Sequence, residues 1–559
     1  MADIGDSEIP DTPYDAIIAT CLEALGGPLW TYIVNTNYAG VTAPHLDVPK
    51  LTPGQVSVLE TLRAILDMRL PYETKQDNRR DLIRALMLET DEKGGTIAGQ
   101  LHGQAGGASP TLPSSDVGAI VGQVANDVYP ALLIPENDDP FFPTIGNSIY
   151  ATAAIFRHPL QVRFQDALFK DQTLASKFTD GDPAVGRTSM VWRNTGSGGT
   201  VQASMLLDQI IGGAWRHIKD DSPTPERLIE ASAAQLALIC HLLKGQRRIT
   251  QARFAFMGIQ LPSGTGEIAF SDAVLRTTTA ADRALAPGSL KGQLTGTNRG
   301  GETTVVNYDG DVVLCIDFDM AVRARAEQPG PGAAAWPQDM KVPESLEHQL
   351  ERLRISLVLA VERPDRVQLL PTWRFFDDPF GYGSATGWSD PRRTIGIMPA
   401  TLTNEEVKTW VEWYRRLSNP HVKQIQLAVS RVLRAIEERR EPADVLVDAV
   451  IAWENMFGTA EGEPTLRVTA SLALLLGATL EERKRLRSRY KDIYKLRSRV
   501  VHGSGAIRGS EHPMCQEALD VALQALRKLT YERTDILRLP DGNERSLHLI
   551  LDADATREA

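Results

Sequence analysis

From Thr403 to about Leu529, amphipathic or apolar stretches alternate with short joints that contain Gly or Pro. The apolar residues of each stretch recur at the three- and four-residue spacing of an α-helix. The six stretches are EEVKTWVEWYRRLS, HVKQIQLAVSRVLRAIEER, PADVLVDAVIAWENMFG, TLRVTASLALLLG, LEERKRLRSRYKDIYKLRSRVV and HPMCQEALDVALQALRKLTYER. Because short joints make consecutive helices run antiparallel, we predict an antiparallel helical bundle over residues 401–540. Residues 541–559 are too few for a further domain and are predicted to be a tail.

Two helical regions are predicted at the start of the chain. Residues 1–115 contain a helix whose N-cap is Thr52, and they end in a linker rich in Gly, Ser and Pro, EKGGTIAGQLHGQAGGASPTLPSSD. Residues 116–248 are also predicted to be helical. Their clearest helix begins after Thr224, which is a favoured N-cap residue. No motif assigns a role to either region.

Residues 249–400 have a different sequence pattern from the helical regions and are predicted to be rich in β-structure. Asp309-Gly310 separates two alternating stretches, which is the strongest hairpin signal in the chain. RVQLLPTWRFF and RTIGIMPATL are typical of strands, and SLEHQLERLRISLVLAV is typical of a helix. A chain of 559 residues is long enough for three or four domains. We therefore expect a multidomain protein, mainly α, with an α+β or β-rich middle region.

The sequence contains no stretch of about 18 apolar residues and no basic, then apolar, leader at its acidic N-terminus. We therefore expect a cytoplasmic protein with no membrane partner. Its four cysteines, which show no CxxC spacing, are Cys21, Cys240, Cys315 and Cys515. The ten histidines include no pair at the i, i+4 spacing of a helical metal site. Neither a metal nor a cofactor is predicted.

Charge is distributed unevenly along the chain. The total is −11, which argues against a protein that coats nucleic acid over its whole surface. Residues 401–540 contain 23 Lys and Arg against 19 Asp and Glu, a net charge of +4, which leaves −15 for the rest. A mildly basic bundle on an acidic body is able to hold RNA locally. A solvated helical surface accounts for the same numbers equally well.

The segment YKLRSRVVHG is the strongest candidate for chemistry. It ends a long basic helix at Gly503, and His502 lies at the C-terminal end, where the helix dipole favours positive charge. Histidine exchanges protons near neutral pH, and the planar guanidinium of Arg497 binds a phosphate through two hydrogen bonds. Helices that are rich in Arg and end in His before Gly are also common without any catalytic role.

An Arg followed by four residues and a His matches the R-x(4–6)-H signature of HEPN domains, and DIYKLRSRVVHG is similar to the signature segment of the Apea-like HEPN group. ADVLVDAVIAWENMFG resembles the group's earlier helix, in which an Asp and a Glu six residues later face the bundle interior. These are Asp448 and Glu454 here. TLRVTASLALLLG resembles the helix that lies between this earlier helix and the signature segment. The resemblance covers about residues 420–535, with a looser likeness over 250–400.

The resemblance implies metal-independent RNA cleavage in which the ribose 2′-hydroxyl attacks the adjacent phosphate. His502 would act as acid and base, and Arg497 would bind the phosphate. Ser498, the residue after the Arg, would complete the catalytic set. Active members often carry Asn, Asp or His there, but serine is also found in the Apea-like group, and its hydroxyl can hydrogen-bond. Tyr494, Glu454 and Asp448 would support the site. RNA would be held by the basic residues Arg487, Lys491, Lys495 and Arg499.

The resemblance also implies that two HEPN domains pair with both motifs facing one groove, so a homodimer is expected. We interpret the chain as a defence- or toxin-type endoribonuclease whose residues before 401 sense a trigger or restrain the nuclease. Its trigger would derive from a phage or from nucleic acid. The alternative is a non-catalytic protein in which a HEPN-like bundle dimerises the chain and the rest binds a ligand.

Overall fold

The computed structural model places most of the chain in well-defined elements. It describes residues 15–36, 51–67, 76–134, 149–175, 178, 190–194, 200–219, 222–286, 290, 293–297, 303–323, 341–363, 367–380, 386–387, 399–459, 463–503 and 505–551. Within these ranges the protein is mainly helical, with a small antiparallel sheet in the middle of the chain. The predicted fold class is confirmed at this level.

The helices before the first long strand provide most of one hydrophobic core. They are α1 (Asp15–Leu25), α2 (Gly27–Ile33), α3 (Pro53–Asp67), α4 (Gln76–Met87), α5 (Ile97–Gln104), α6 (Asp116–Leu132), α7 (Ile149–Arg157), α8 (Leu160–Leu168), α9 (Gln172–Ala175), α10 (Leu206–Ile218) and α11 (Pro225–Leu243). A 3₁₀ turn, Ala203–Met205, precedes α10. Their buried side chains join those of the sheet in one continuous core.

Two predicted helix starts are confirmed by their caps. At α3, the Thr52 N–H donates to the Gln55 side chain (2.9 Å) and the Gln55 N–H donates to Thr52 Oγ1 (3.2 Å). At α11, Thr224 Oγ1 accepts from the Arg227 N–H at 3.3 Å. Both caps satisfy donors that the first helical turn leaves unpaired.

The predicted Gly/Ser/Pro-rich linker contains a helix, which corrects the sequence interpretation. α5 lies inside it, and Thr96 caps the helix by accepting from the Gly99 N–H at 3.1 Å. Ala98 and Leu101 are buried in the same core as the preceding helices. Glycine has low helix propensity, but packing of the short apolar face outweighs this cost.

The described strands form one eight-stranded antiparallel sheet in the middle of the chain and two separate two-stranded sheets. The strands are β1 (Met190–Asn194), β2 (Thr200–Gln202), β3 (Arg248–Met257), β4 (Ile259–Gln260), β5 (Glu267–Ala269), β6 (Val274–Thr277), β7 (Gln293–Thr297), β8 (Thr303–Asn307), β9 (Val312–Arg323), β10 (Leu370–Phe376), β11 (Thr386–Gly387) and β12 (Ala400–Thr401). The main order is β11-β10-β3-β9-β1-β2, with β6 also on β9 and β5 on β6. β4 pairs with β12, and β7 pairs with β8.

β1 and β2 come from the region 116–248, which the sequence predicts to be mostly helical. β1 runs antiparallel to β9, and β2 runs antiparallel to β1. Both strands are short, and each is stabilised by pairing with a neighbouring strand rather than specified by its own sequence pattern. Most of the predicted strand RTIGIMPATL lies outside the described residues. Its last part forms β12, parallel to β4.

The hairpin predicted at Asp309-Gly310 is wrong. β8 and β9 flank this turn, but β8 pairs with β7, whereas β9 pairs with β3, β6 and β1. The turn is fixed by the main sheet, because the Asp309 carbonyl accepts from the Trp373 indole (2.7 Å) and the Asp311 N–H donates to the Phe256 carbonyl (2.8 Å). Gly310 has φ +96°, and a side chain there would press against β3. Tertiary contacts therefore separate strands that the local signal would pair.

The remaining helices are α12 (Ala280–Leu285), α13 (Lys341–Ala360), α14 (Asn404–Arg416), α15 (Gln426–Glu437), α16 (Pro442–Phe457), α17 (Pro464–Leu476), α18 (Leu480–Val501), α19 (His512–Arg527), α20 (Thr534–Leu537) and α21 (Gly542–Leu551). Short 3₁₀ turns span Pro420–Ile425 and Gly509–Glu511, and Lys528–Glu532 is π-helical. All six predicted C-terminal helices are present. α16 is central, since it contacts α15, α17, α18, α19 and α21.

α13 and α14 join the two hydrophobic cores. On α13, Leu353 packs into the first core and Val358 into the second, which the C-terminal helices form. On α14, Trp410 belongs to the first core and Trp413 to the second. The Trp410 indole also donates to the Leu353 carbonyl at 3.1 Å. The helix pair is therefore shared by both parts of the protein.

The prediction of a tail over residues 541–559 is wrong for its first part. α21 packs on α16 and α17, and Leu549 is buried in the second core. Arg545, only 1% exposed, donates to the carbonyls of Met456 and Asn455 at 2.8 and 3.0 Å. Burial lowers the pKa of Arg545 to about 10. These bonds satisfy carbonyls at the end of α16, which explains why so short a segment is ordered.

Within the ranges that the structure describes, no helix is both long enough and apolar enough to cross a membrane. The four cysteines are all unpaired. Burial raises the pKa of each thiol, so all four stay protonated at neutral pH. Cys315 is buried and Cys240 is half-buried against the first core, as expected for small core residues.

Candidate functional site

The candidate site lies at the C-terminal end of α18. Thr479 caps the start of this helix by accepting from the Glu482 N–H at 3.2 Å. Tyr490, Ile493 and Leu496 are buried on one side of the helix. Because this face packs into the second core, the remaining faces of α18 are available to solvent and to neighbouring side chains.

α18 ends where the sequence predicts, just before His502. The His502 N–H donates to the Ser498 carbonyl at 3.0 Å and the Gly503 N–H donates to the Val500 carbonyl at 3.2 Å. Gly503 has φ +69°, a left-handed conformation that glycine adopts without strain. His502 and Gly503 are both exposed. The imidazole therefore lies at an accessible helix terminus.

Arg497 contacts Glu454 across the bundle. Arg497 Nη2 donates to Glu454 Oε2 at 3.4 Å, and the Tyr494 hydroxyl donates to Glu454 Oε1 at 2.5 Å. The side chains of Arg497 and Glu454 are 21% and 30% exposed. Glu454 therefore connects α16 to two residues on one side of α18.

Burial raises the pKa of Tyr494 to about 12, and the hydrogen bond to Glu454 adds to this shift. The phenol therefore remains a proton donor at neutral pH. It holds one oxygen of Glu454, and the other oxygen is left to Arg497. Tyr494 and Glu454 thus position the guanidinium, whereas neither supplies a proton to the exposed side of the helix.

The guanidinium of Arg497 is only partly engaged. Its contact with Glu454 is long, and Nε is buried without a hydrogen-bond partner, so it is the Nη groups that can reach solvent. An arginine carries five N–H donors, so donors remain for an oxyanion at its solvent side. Ser498 is half-buried beside it. The arrangement combines an oriented cation with a histidine five residues later, about 7.5 Å further along the helix axis.

Asp448 does not contact Arg497, Glu454 or Tyr494. It is 1% exposed and accepts from Arg431 Nη1 at 2.7 Å and from Arg439 Nε at 2.6 Å. The resemblance implied that it faces the bundle interior, and it does. However, six helical residues rotate the side chain direction by about 240°, so Asp448 and Glu454 point to different neighbours. Asp448 is thus an anchor between α15 and α16.

The four predicted RNA-binding residues divide into two groups. Arg487, Lys491 and Lys495 are exposed and spaced four residues apart, so they form a row with steps of about 6 Å along α18. Arg499 instead pairs with Glu511 at 2.5 Å and is half-buried. This ion pair, which sequence reasoning missed, links α18 to the turn before α19. The only sequence signal for this ion pair is the Glu that precedes α19, Glu511.

Among the described residues, no group of three or more His, Cys, Asp or Glu side chains is placed to hold a metal ion. Comparison with known protein families, with curated proteins and with solved structures finds no match to this chain. Its chemistry is therefore argued from the geometry around Arg497 and His502.

Proposed function

We propose that this protein is a metal-independent endoribonuclease of the HEPN type, with Arg497 and His502 as its catalytic residues. One observation carries the proposal. α18 presents an arginine oriented by Glu454 and, at the exposed end of the same helix, a histidine. Transesterification of RNA requires a phosphate-binding group and a proton-transfer group at one phosphate, and these are the two residue types that the end of α18 supplies.

In the proposed reaction the ribose 2′-oxygen attacks the adjacent phosphorus and the bond to the 5′-oxygen breaks. A proton leaves the 2′-hydroxyl, and a proton reaches the departing 5′-oxygen. His502 accepts or donates one of these protons, and Arg497 neutralises charge on the non-bridging oxygens. The products are a 2′,3′-cyclic phosphate and a 5′-hydroxyl. The row formed by Arg487, Lys491 and Lys495 attracts the phosphates of the bound strand.

Cleavage of RNA is expected to proceed at full rate in EDTA and to leave 2′,3′-cyclic phosphate ends. The reason is that both proton transfers and charge neutralisation are assigned to side chains. The measurement is to incubate purified protein with total RNA and to map the ends chemically. The matched control is protein carrying His502→Ala, purified in the same way. Cleavage that needs added magnesium or manganese would contradict the mechanism.

The active unit is expected to be a homodimer with a shared groove. In-line attack needs a base on one side of the phosphorus and an acid on the other, and one segment offers a single histidine. Two-fold pairing of one surface supplies the second, and two-fold dimers are the commonest assembly. Sedimentation should show two chains per particle. A mixture of Arg497→Ala and His502→Ala chains should cleave faster than either variant alone.

A shared groove explains a partial gain, because a mixed dimer keeps one arginine and one histidine in the groove, whereas each variant alone lacks one of the two residue types entirely; the single remaining histidine keeps the rate below that of the wild type. Wild-type protein that is monomeric at the working concentration and still cleaves RNA at full rate would show that the groove is not composite.

We assign the chain a cytoplasmic defence- or toxin-type role, in which the residues before 401 respond to a phage- or nucleic-acid-derived trigger. The alternative function is a non-catalytic protein whose bundle dimerises the chain. The ion pairs Arg497–Glu454 and Arg499–Glu511 favour this alternative, because both guanidiniums then serve contacts within the bundle. The RNA cleavage assay above separates the two functions.

A further inference from the structure

The chain that follows His502 folds back over the end of α18. Gly503, with φ +69°, ends the helix and starts the reversal. Two residues later the chain passes the side chain of Arg499, since a Cβ added at Gly505 would lie 3.8 Å from Arg499 Cδ. Ile507 then packs against the second core. This return turn therefore lies against the end of the helix that carries the exposed histidine.

The return turn is closed by Glu511. Its Oε2 accepts from Arg499 Nη2 at 2.5 Å and from the main-chain N–H of Arg508 at 2.9 Å. The Glu511 N–H donates to the Arg508 carbonyl at 2.8 Å. The hydrogen bond from Arg499, followed by the one from Arg508, lowers the pKa of Glu511, so the carboxylate is charged at neutral pH. One carboxylate thus ties the last turn of α18 to Arg508.

These shared bonds place Arg508 near His502. Because both donate to the same oxygen, at 2.9 and 2.5 Å, the main-chain nitrogen of Arg508 lies at most 5.4 Å from Arg499 Nη2. Arg499 is three residues before His502, and side chains at this spacing are neighbours on a helix, with Cβ atoms about 5–6 Å apart. Arg499 is therefore a near neighbour of both Arg508 and His502.

The two arginines of this turn have different environments. The side chain of Arg499 is 31% exposed, its charge is balanced by Glu511, and its Nε is buried without a partner. Arg508 is exposed, and its hydrogen bonds with Glu511 use its main-chain N–H and carbonyl. The three side chains carry a net charge of +1, and the guanidinium of Arg508 presents that charge to solvent.

We propose that Arg508, and not Arg499, binds a phosphate of the RNA strand that passes His502. For the identity of the ligand, this inference rests on the proposed RNA cleavage. Arginine binds a phosphate through two hydrogen bonds, and an RNA strand offers phosphates on both sides of the one that is cleaved. Glu511 engages Arg499 and, through the main chain, holds Arg508 beside the histidine. Arg508 is thus a binding residue, and Glu511 and Arg499 are positioning residues.

A turn that serves stability alone is the competing explanation. In that case the side chain of Arg508 would be replaceable without any effect on RNA, because alanine retains the main-chain N–H and carbonyl that bond to Glu511. The two explanations agree on the fold of the turn. They differ in what the change Arg508→Ala does to RNA binding.

The test measures binding of a short 2′-O-methyl RNA to the full-length protein by fluorescence anisotropy. This RNA has phosphates but lacks the attacking 2′-hydroxyl, so it cannot be cleaved. Arg508→Ala should weaken binding about fivefold, with an unchanged unfolding midpoint. The slope of log K against log salt should become less steep by about 0.7, the value for one phosphate contact on a single strand. Arg434→Ala, at an exposed arginine on α15, is the matched control and should bind as the wild type does.

The contribution of Arg508 should depend on Glu511. In Glu511→Ala protein the return turn loses its anchor, so the further change Arg508→Ala should weaken binding by less than about twofold. An equal effect of Arg508→Ala in both backgrounds would show an exposed charge that nothing positions, and it would overturn the proposal. So would wild-type affinity in Arg508→Ala protein, or a wild-type protein that does not bind this RNA.

Cleavage of natural RNA by the same proteins tests the proposed function separately. Arg508→Ala should raise KM more than it lowers kcat, since the residue binds the strand away from the reacting atoms. Wild-type protein that binds the 2′-O-methyl RNA through Arg508 but cleaves no RNA would support this binding site and contradict the nuclease. Wild-type protein that cleaves RNA with a KM that Arg508→Ala does not change would contradict the binding site alone.

Discussion

Replacing His502 with alanine is expected to slow RNA cleavage by about 10²–10⁴-fold, the usual contribution of a general acid or base. The free energy of unfolding should stay within about 1 kcal/mol of the wild-type value. The imidazole is exposed beyond the last turn of α18, and the hydrogen bond at this residue comes from its main-chain N–H, which alanine retains. The measurement combines single-turnover cleavage of a defined RNA with denaturant unfolding.

His241→Ala is the matched control, because His241 is an exposed histidine on α11 in the other part of the protein. It should change neither cleavage nor stability. If His502→Ala retains wild-type cleavage, His502 is not the proton-transfer residue. If it instead lowers the stability by several kcal/mol, the histidine serves the structure, and the non-catalytic alternative gains support.

Replacing Asp448 with alanine is expected to destabilise the C-terminal helices by about 3 kcal/mol. Asp448 is 1% exposed and accepts from both Arg431 and Arg439, so its loss leaves two cations without their shared partner. The value is at the lower end for a broken buried ion pair, because the two arginines remain about a third exposed and regain some hydration. The unfolding midpoint should fall by roughly 6–12 °C.

Asp444→Ala provides the comparison on the same helix. Asp444 is exposed in the first turn of α16, where its main contribution is to the helix dipole, so its loss should cost less than about 1 kcal/mol. Equal stability of the two variants would mean that the pairs of Asp448 do not hold α15 to α16. Loss of cleavage in Asp448→Ala without loss of stability would restore the supporting role that the HEPN resemblance implied.

The sequence predicted the helices of the second core well, since their signals are local. Regular apolar spacing, Pro at the start and Gly at the end specify α16 and α17, and the Thr479 cap and Gly503 mark the two ends of α18. The contact between Glu454 and Arg497 was also predictable, because a half-buried carboxylate in an apolar helix needs a donor. The roles of these residues in cleavage stay predictions.

Tertiary contacts decided what local patterns did not. The Asp309-Gly310 turn has hairpin chemistry, yet bonds to β3 and β10 direct β9 into a different sheet from β8. Helix α5 forms in a glycine-rich stretch because its few apolar residues find a core to fill. α21 is held against α16 because Arg545 satisfies carbonyls at the end of α16.

The sequence by itself therefore determined the helices α14 to α19 and which segment carries the Arg–His pair. Only the tertiary structure decided which strands pair, which short segments are ordered, and which charges are engaged. The physical reason is the separation along the chain between the residues that interact. Helical hydrogen bonds and caps connect residues within a few positions, so a short window contains them. Strand pairing, the buried bonds of Arg545 and the ion pairs of Asp448 and Arg499 depend on partners that only the folded chain brings together.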